Sequence, residues 1–167
     1  MKRKKAKLKV NWLIVLLAML LAVGTGTSSC KSNITLSMTD ANPPTFRFHR
    51  GLFSEVNSFP LFIVREIDPE NQGVDYLQQK YEKNKTVWKI VPDPKLPTAS
   101  DVDKLPPITY GIIPSGFIQD TPSSGAAPKL EPGKIYEASG AYVLMPDAVI
   151  RFKIAGDKLI QVPIPGQ

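Results

Sequence analysis

The chain has 167 residues, with 21 Lys and Arg against 15 Asp and Glu. Six of those cations (Lys2, Arg3, Lys4, Lys5, Lys7 and Lys9) lie in the first nine residues, and every acid lies after Cys30. The remaining 15 cations balance the 15 acids, so the chain after Cys30 is formally neutral and nucleic acid is not expected as a partner. The basic start runs into an apolar stretch, Val10 to Val23, and then into the small and polar residues GTGTSSC. A basic segment, a short apolar core and small residues together read as a secretory signal over 1–29. The apolar core is about 14 residues long, short of the ~20 that a membrane-spanning helix needs.

Cys30 is the only cysteine, so no internal disulfide can form. Thr27-Ser28-Ser29-Cys30 resembles the bacterial lipobox, with Thr27 standing where that pattern favours leucine. The resemblance implies diacylglycerol on the Cys30 sulfur and an acyl chain (palmitate-like) on its amine. More than one chain is what makes such an anchor stable. The implied location is the cell envelope. Lys31 follows the cysteine, and in a host with an outer membrane this points to the periplasmic face of that membrane.

Residues 30–44 are expected to hold the lipidated cysteine and a tether, although ITLSMT (34–39) also suits a first edge strand. The β-sandwich domain is expected over 45–167. All 16 prolines follow Cys30, well over twice the average usage of ~5%. Proline is excluded from helix interiors and central sheet positions, so short strands between proline-bounded loops are predicted. TFRFHR (45–50) alternates, with Phe46 and Phe48 on one face. PLFIVREID (60–68) reads as a central strand. VDYLQQKYEKN (74–84) places Val74, Leu77, Gln78 and Tyr81 on one helical face, which predicts a short helix. TVWKIV (86–91) alternates again, and Trp88 is assigned to the core. Residues 92–107 read as a proline-rich surface loop. ITYGII (108–113) and GFIQ (116–119) are short strands, and 121–128 is a loop. KIYEASGAYVL (134–144) is a strand with a bend or bulge at Gly140. AVIRFKI (148–154) and KLIQVPI (158–164) flank a hairpin turn at 155–157.

Seven or so short strands predict an all-β antiparallel sandwich. Leu130-Glu131-Pro132-Gly133-Lys134-Ile135-Tyr136 resembles the L-x-P-G-x-x-Y turn of fibronectin type III domains. The resemblance implies an immunoglobulin-like sandwich with Leu130 in the core and a Pro132-Gly133 turn. It also implies a Tyr136 hydroxyl that returns to the backbone upstream, the tyrosine corner. Such domains usually carry a tryptophan on their second strand, where this chain has Phe46 and Phe48. Strand order stays open, a transthyretin-like topology being the competing one. The succession of WKI (88–90), ITYGIIPSGF (108–117) and LEPGKIY (130–136) is similar to small, uncharacterised bacterial lipoproteins, which implies an anchor and no activity.

The inventory for catalysis is thin. His49 is the single histidine. With Ser54, Glu55 and Ser58 nearby it could act as a base, but no nucleophile elbow is present and a solvated edge position suits it better. One histidine and one cysteine cannot make a zinc site. Asp101 and Asp103, or Asp68 and Glu70, lack the spacing of a calcium loop. Gly111, Gly116 and Gly125 make no phosphate loop. No metal or cofactor is therefore expected. Tyr110, Ile112 and Phe117, in a segment rich in glycine and proline, form a candidate peptide-binding edge. The favoured function is a membrane-anchored, non-catalytic binding or scaffolding module with another envelope protein as partner. The alternatives are a hydrolase of envelope glycans using Asp101, Asp103, Glu131 or Glu137, and a carrier of small apolar ligands within the sandwich.

Overall fold

The chain divides into two units, 1–31 and 32–167. The computed structural model describes residues 34–51, 61–74, 79–96, 102–142 and 145–165, all in the second unit. The signal segment, Cys30, Ser54, Glu55, Ser58 and Asp101 lie outside the described residues.

Nine strands follow in order: β1 Ile34–Met38, β2 Thr45–Arg50, β3 Phe62–Glu66, β4 Lys85–Pro92, β5 Ile108–Thr109, β6 Phe117–Thr121, β7 Ile135–Tyr142, β8 Met145–Ala155 and β9 Lys158–Val162. They form two antiparallel sheets, β1-β2-β5 and β6-β4-β3-β7-β8-β9. The protein is an all-β sandwich of the immunoglobulin type. In immunoglobulin lettering, the small sheet is A-B-E and β4-β3-β7-β8 is C′-C-F-G. β6 and β9 extend the large sheet by one strand on each side. Ile34–Met38 thus resolves as a strand of the sandwich, in register with β2 from Ile34↔Arg50 to Met38↔Phe46.

The alternation that marks these strands delivers one row of side chains from each sheet to the interior. Phe46 of β2 packs on Phe62 of β3 and Phe152 of β8, with ring centroids 5.1 and 5.8 Å apart. Trp88 lies fully buried between Phe62 and Tyr110, at 6.0 and 5.3 Å. Its indole N–H donates to Gln119 Oε1 at 3.0 Å, which satisfies the one polar atom the ring carries inside. Aromatic rings therefore fill the space between the sheets.

The turn before β7 is the tyrosine corner. Gly133 has φ 83°, a conformation that favours glycine. Leu130 is buried beneath the turn, and the Glu131 N–H donates to the Tyr136 hydroxyl at 2.9 Å. Burial pushes the Tyr136 phenol above its ordinary pKa. β7 carries the expected irregularity, a register shift between Gly140 and Ala141. Gly156, with φ 67°, opens the two-residue turn between the paired Ala155 and Lys158.

Two predicted elements are corrected. The first is the helix over 74–84, because the described residues hold no α-helix. Pro69–Asn71 and Tyr81–Lys83 are single 3-10 turns, and residues 75–78 lie outside the described set. The cause is a set of side-chain amides that capture the backbone the helix would have used. Asn71 Oδ1 accepts from Lys80 N at 3.1 Å, and its Nδ2 donates to Lys80 O at 3.0 Å and to Asn84 Oδ1 at 2.8 Å. Asn84 Oδ1 also accepts from Asp68 N at 3.1 Å, while its Nδ2 donates to Gln79 Oε1 at 3.1 Å. The second correction concerns 108–113, where the strand stops at Thr109. Gly111 adopts φ 79°, and Ile112 N donates back to Thr109 O at 3.0 Å, turning the chain out of the sheet.

Candidate functional site

The predicted edge Tyr110, Ile112 and Phe117 separates into buried and exposed parts. Tyr110 is buried against Trp88, with its hydroxyl donating to Pro128 O at 2.8 Å. Burial pushes its phenol far above the ordinary value. Phe117 is also buried, as the first inward side chain of β6. Ile112 is 61% exposed, and beside it Ile113 is 45% and Ile118 43% exposed. The binding edge as predicted is therefore corrected: two of its three residues belong to the core. What stands in its place is β6 itself, the terminal strand of the large sheet, with Ile118 projecting outward and Ile112-Ile113 in the preceding turn. Asp120 of β6 pairs with Lys89 of β4 at 2.9 Å, and that ammonium holds the Asp120 carboxyl below the usual range.

A second site, absent from the sequence reading as a cluster, lies on the outer face of the large sheet. Residues that alternate with the core row point there: Arg65 on β3, Glu137 and Ser139 on β7, and Arg151 and Val149 on β8. The register aligns Arg65, Glu137 and Arg151 in one row, and Ile63, Ser139 and Val149 in the next. An outward row normally meets water, yet Glu137 and Ser139 are 0% and Arg151 1% exposed. The segment after β3 reaches this face. Arg151 Nη1 donates to the Gln72 carbonyl at 3.2 Å, while its Nε donates to Glu137 Oε2 at 3.1 Å. Three neighbouring polar atoms have no hydrogen-bond partner: Glu137 Oε1, Ser139 Oγ and Arg151 Nη2. Gln79 Nε2, on the amide-clipped segment, is also unpartnered. Buried polar groups in native folds are almost always paired, so this concentration marks the face as unusual. Glu137 and Arg151 each look unremarkable within a strand. Only the pairing of β7 with β8 brings them together.

The other candidate side chains have local partners. His49 is exposed and lies 2.8 Å from Ser37 Oγ on β1. Asp68 accepts from Glu70 N at 2.9 Å, and Glu70 pairs with Lys83. Glu131 pairs with Lys134 at 3.2 Å, and Lys134 reaches Glu66 at 3.0 Å. Among the described residues, no group of three or more His, Cys, Asp or Glu side chains is placed to hold a metal. No helix among them is long and apolar enough to cross a membrane.

Comparison with known proteins finds no matching family model, no similar curated protein and no similar solved structure. The functional reading therefore rests on the chain's own residues.

Proposed function

We propose that the protein is a lipid-anchored component of the cell envelope whose β-sandwich binds another envelope protein without catalysis. The anchor reading is supported by the basic and apolar start that leads to the single cysteine. The binding reading is carried by the three isoleucines exposed on β6 and in the turn before it. Exposed apolar side chains grouped beside an open strand edge suit an incoming extended segment. Such a segment adds backbone hydrogen bonds along the edge and sets every second side chain on the apolar surface. Only Lys31, Ser32 and Asn33 separate Cys30 from β1, a reach of about 14 Å at full extension. A domain on so short a leash stays near the bilayer surface, and its partner is expected within the same envelope layer.

The hydrolase reading has less support. Glu131 is engaged by Lys134 and Glu137 by Arg151. The carrier reading also has less, since aromatic rings occupy the interior. A photo-crosslinking residue in place of Ile118, in the native host, tests the edge. A discrete adduct with one envelope protein, lost when Ile112 and Ile113 are both replaced by Asp, is the expected result. Failure of any adduct to form, with the variant correctly exported, contradicts the proposed edge.

A further inference from the structure

We infer that the outer face of the β1-β2-β5 sheet lies against the bilayer and contacts the phosphates of anionic lipids, an inference that rests on the anchor at Cys30. It starts from the side chains that point away from the core. Ile34, Phe46 and Ile108 are buried inward, so alternation turns Thr35, Ser37, Thr45, Arg47, His49 and Thr109 to the other side. Thr35, Ser37, Arg47 and His49 are exposed. The face is thus made of hydroxyls, one guanidinium and one imidazole, and none of these six residues is acidic. Asp40, in the turn after β1, follows the end of that strand away from Cys30. The outer face of the large sheet differs. There Lys89 lies 2.9 Å from Asp120, and Arg151 lies 3.1 Å from Glu137. In a chain that is formally neutral after Cys30, an acid-free face is a local excess of positive charge.

The length of the tether selects the same face. Lys31, Ser32 and Asn33 link Cys30 to Ile34, a reach of about 14 Å at full extension. Ile34 opens β1, so the tether enters the domain in the layer of the small sheet. Stacked sheets lie about 10 Å apart, and the outward side chains of the large sheet add to that distance. Turning the large sheet towards the bilayer would use the whole reach, whereas the small sheet can lie down with slack. Lys31 directly follows the anchored residue and adds a cation at the headgroups. Arg47 offers a phosphate paired N–H donors, and hydroxyls donate to its remaining oxygens. Ser37 Oγ lies 2.8 Å from His49 Nε2, and the Thr45 and Thr109 hydroxyls lie 2.9 Å apart, which fixes these groups on the sheet. Lying this way leaves β6, an edge of the other sheet, open to a partner alongside.

Fluorescence quenching on the lipidated protein tests this. Thr35→Cys and Ile160→Cys place a reactive thiol on the outer face of the small and the large sheet in turn, since the lipid occupies the sulfur of Cys30. Each variant is labelled with a fluorophore and reconstituted into vesicles of equal parts phosphatidylcholine and phosphatidylglycerol, with a nitroxide on some headgroups. The label at position 35 should be quenched severalfold more than the label at 160. The difference should shrink in phosphatidylcholine alone and in high salt. Arg47→Ala should lower the ratio of docked to undocked domain by about fivefold, the effect of one cation at an anionic surface. Protein that floats with the vesicles but quenches equally at both positions, or more at 160, overturns the inference and leaves the anchor standing. So does a preference for position 35 that ignores lipid charge, salt and Arg47→Ala. Protein that does not float contradicts the anchor, and the inference falls with it.

Discussion

The turn at Leu130–Tyr136 and the segment Asp68–Asn84 are both irregular stretches leading into a strand of the large sheet, but their structures are specified in different ways. The turn is written in seven consecutive residues: a proline, a glycine at positive φ, a buried leucine and a tyrosine whose hydroxyl reaches back five positions. The longer segment has no such local code. It is held by Asn71, Gln79 and Asn84, which bond across as many as 16 residues, and by a docking bond from Arg151, 79 residues from Gln72 in the chain. A local code survives being read alone. A clip made of amides is visible only once the chain has folded.

This contrast can be broken by substitution. The largest effect is expected at the docking end of the clip. Arg151→Ala leaves the Glu137 carboxylate buried without its partner, which costs about 3–5 kcal/mol. Urea unfolding should show it, and the double replacement Glu137→Leu with Arg151→Met should recover most of the loss. Asn84→Ala comes next, at about 2–3 kcal/mol, since it removes an acceptor used twice and a donor. Hydrogen exchange should then rise across 67–84 and leave β7 protected. Tyr136→Phe should cost only about 1 kcal/mol, because the Glu131 N–H it releases lies in an exposed turn that water can reach. Its melting temperature should fall with no change of fold, and an unchanged melting temperature would argue against the corner.

The smallest effect depends on pH. Lys89 lowers the Asp120 carboxyl below its ordinary value, first by a hydrogen bond and then by its charge. A depressed carboxyl stabilises the fold above its unfolded pKa, and the contribution disappears as the pH falls through the folded one. The small stability gap between the wild type and Asp120→Asn, followed by thermal melting, should therefore be present at neutral pH and close in acid.

The fold was legible in the sequence where the pattern is periodic or local. Phe46 alternates with Arg47, Trp88 with Lys89, and the irregularity at Gly140 follows from a glycine within a strand. The seven residues of the corner pointed to a sandwich, while the order of its strands is set by pairings between residues far apart in the chain. The segment 74–84 misled because Val74, Leu77 and Tyr81 have helical spacing, a weak signal beside amides able to bond the backbone. Tyr110 and Phe117 misled in another way: glycine and proline around an aromatic residue suit an exposed edge and a buried corner equally well. The Glu137–Ser139–Arg151 face was unreadable for a topological reason. Alternation alone places those residues outward, and among the described residues the bond that reaches Arg151 from outside the sheet comes from the Gln72 carbonyl, 79 residues away in the chain.

The central functional claim is that the domain is held in the envelope through Cys30. Intact-mass analysis of the protein purified from its native host tests this most directly. The predicted species begins at Cys30 and carries a diacylglycerol on sulfur and an acyl group on the new amine. A chain that retains residues 1–29, or one with an unmodified thiol at position 30, would contradict it.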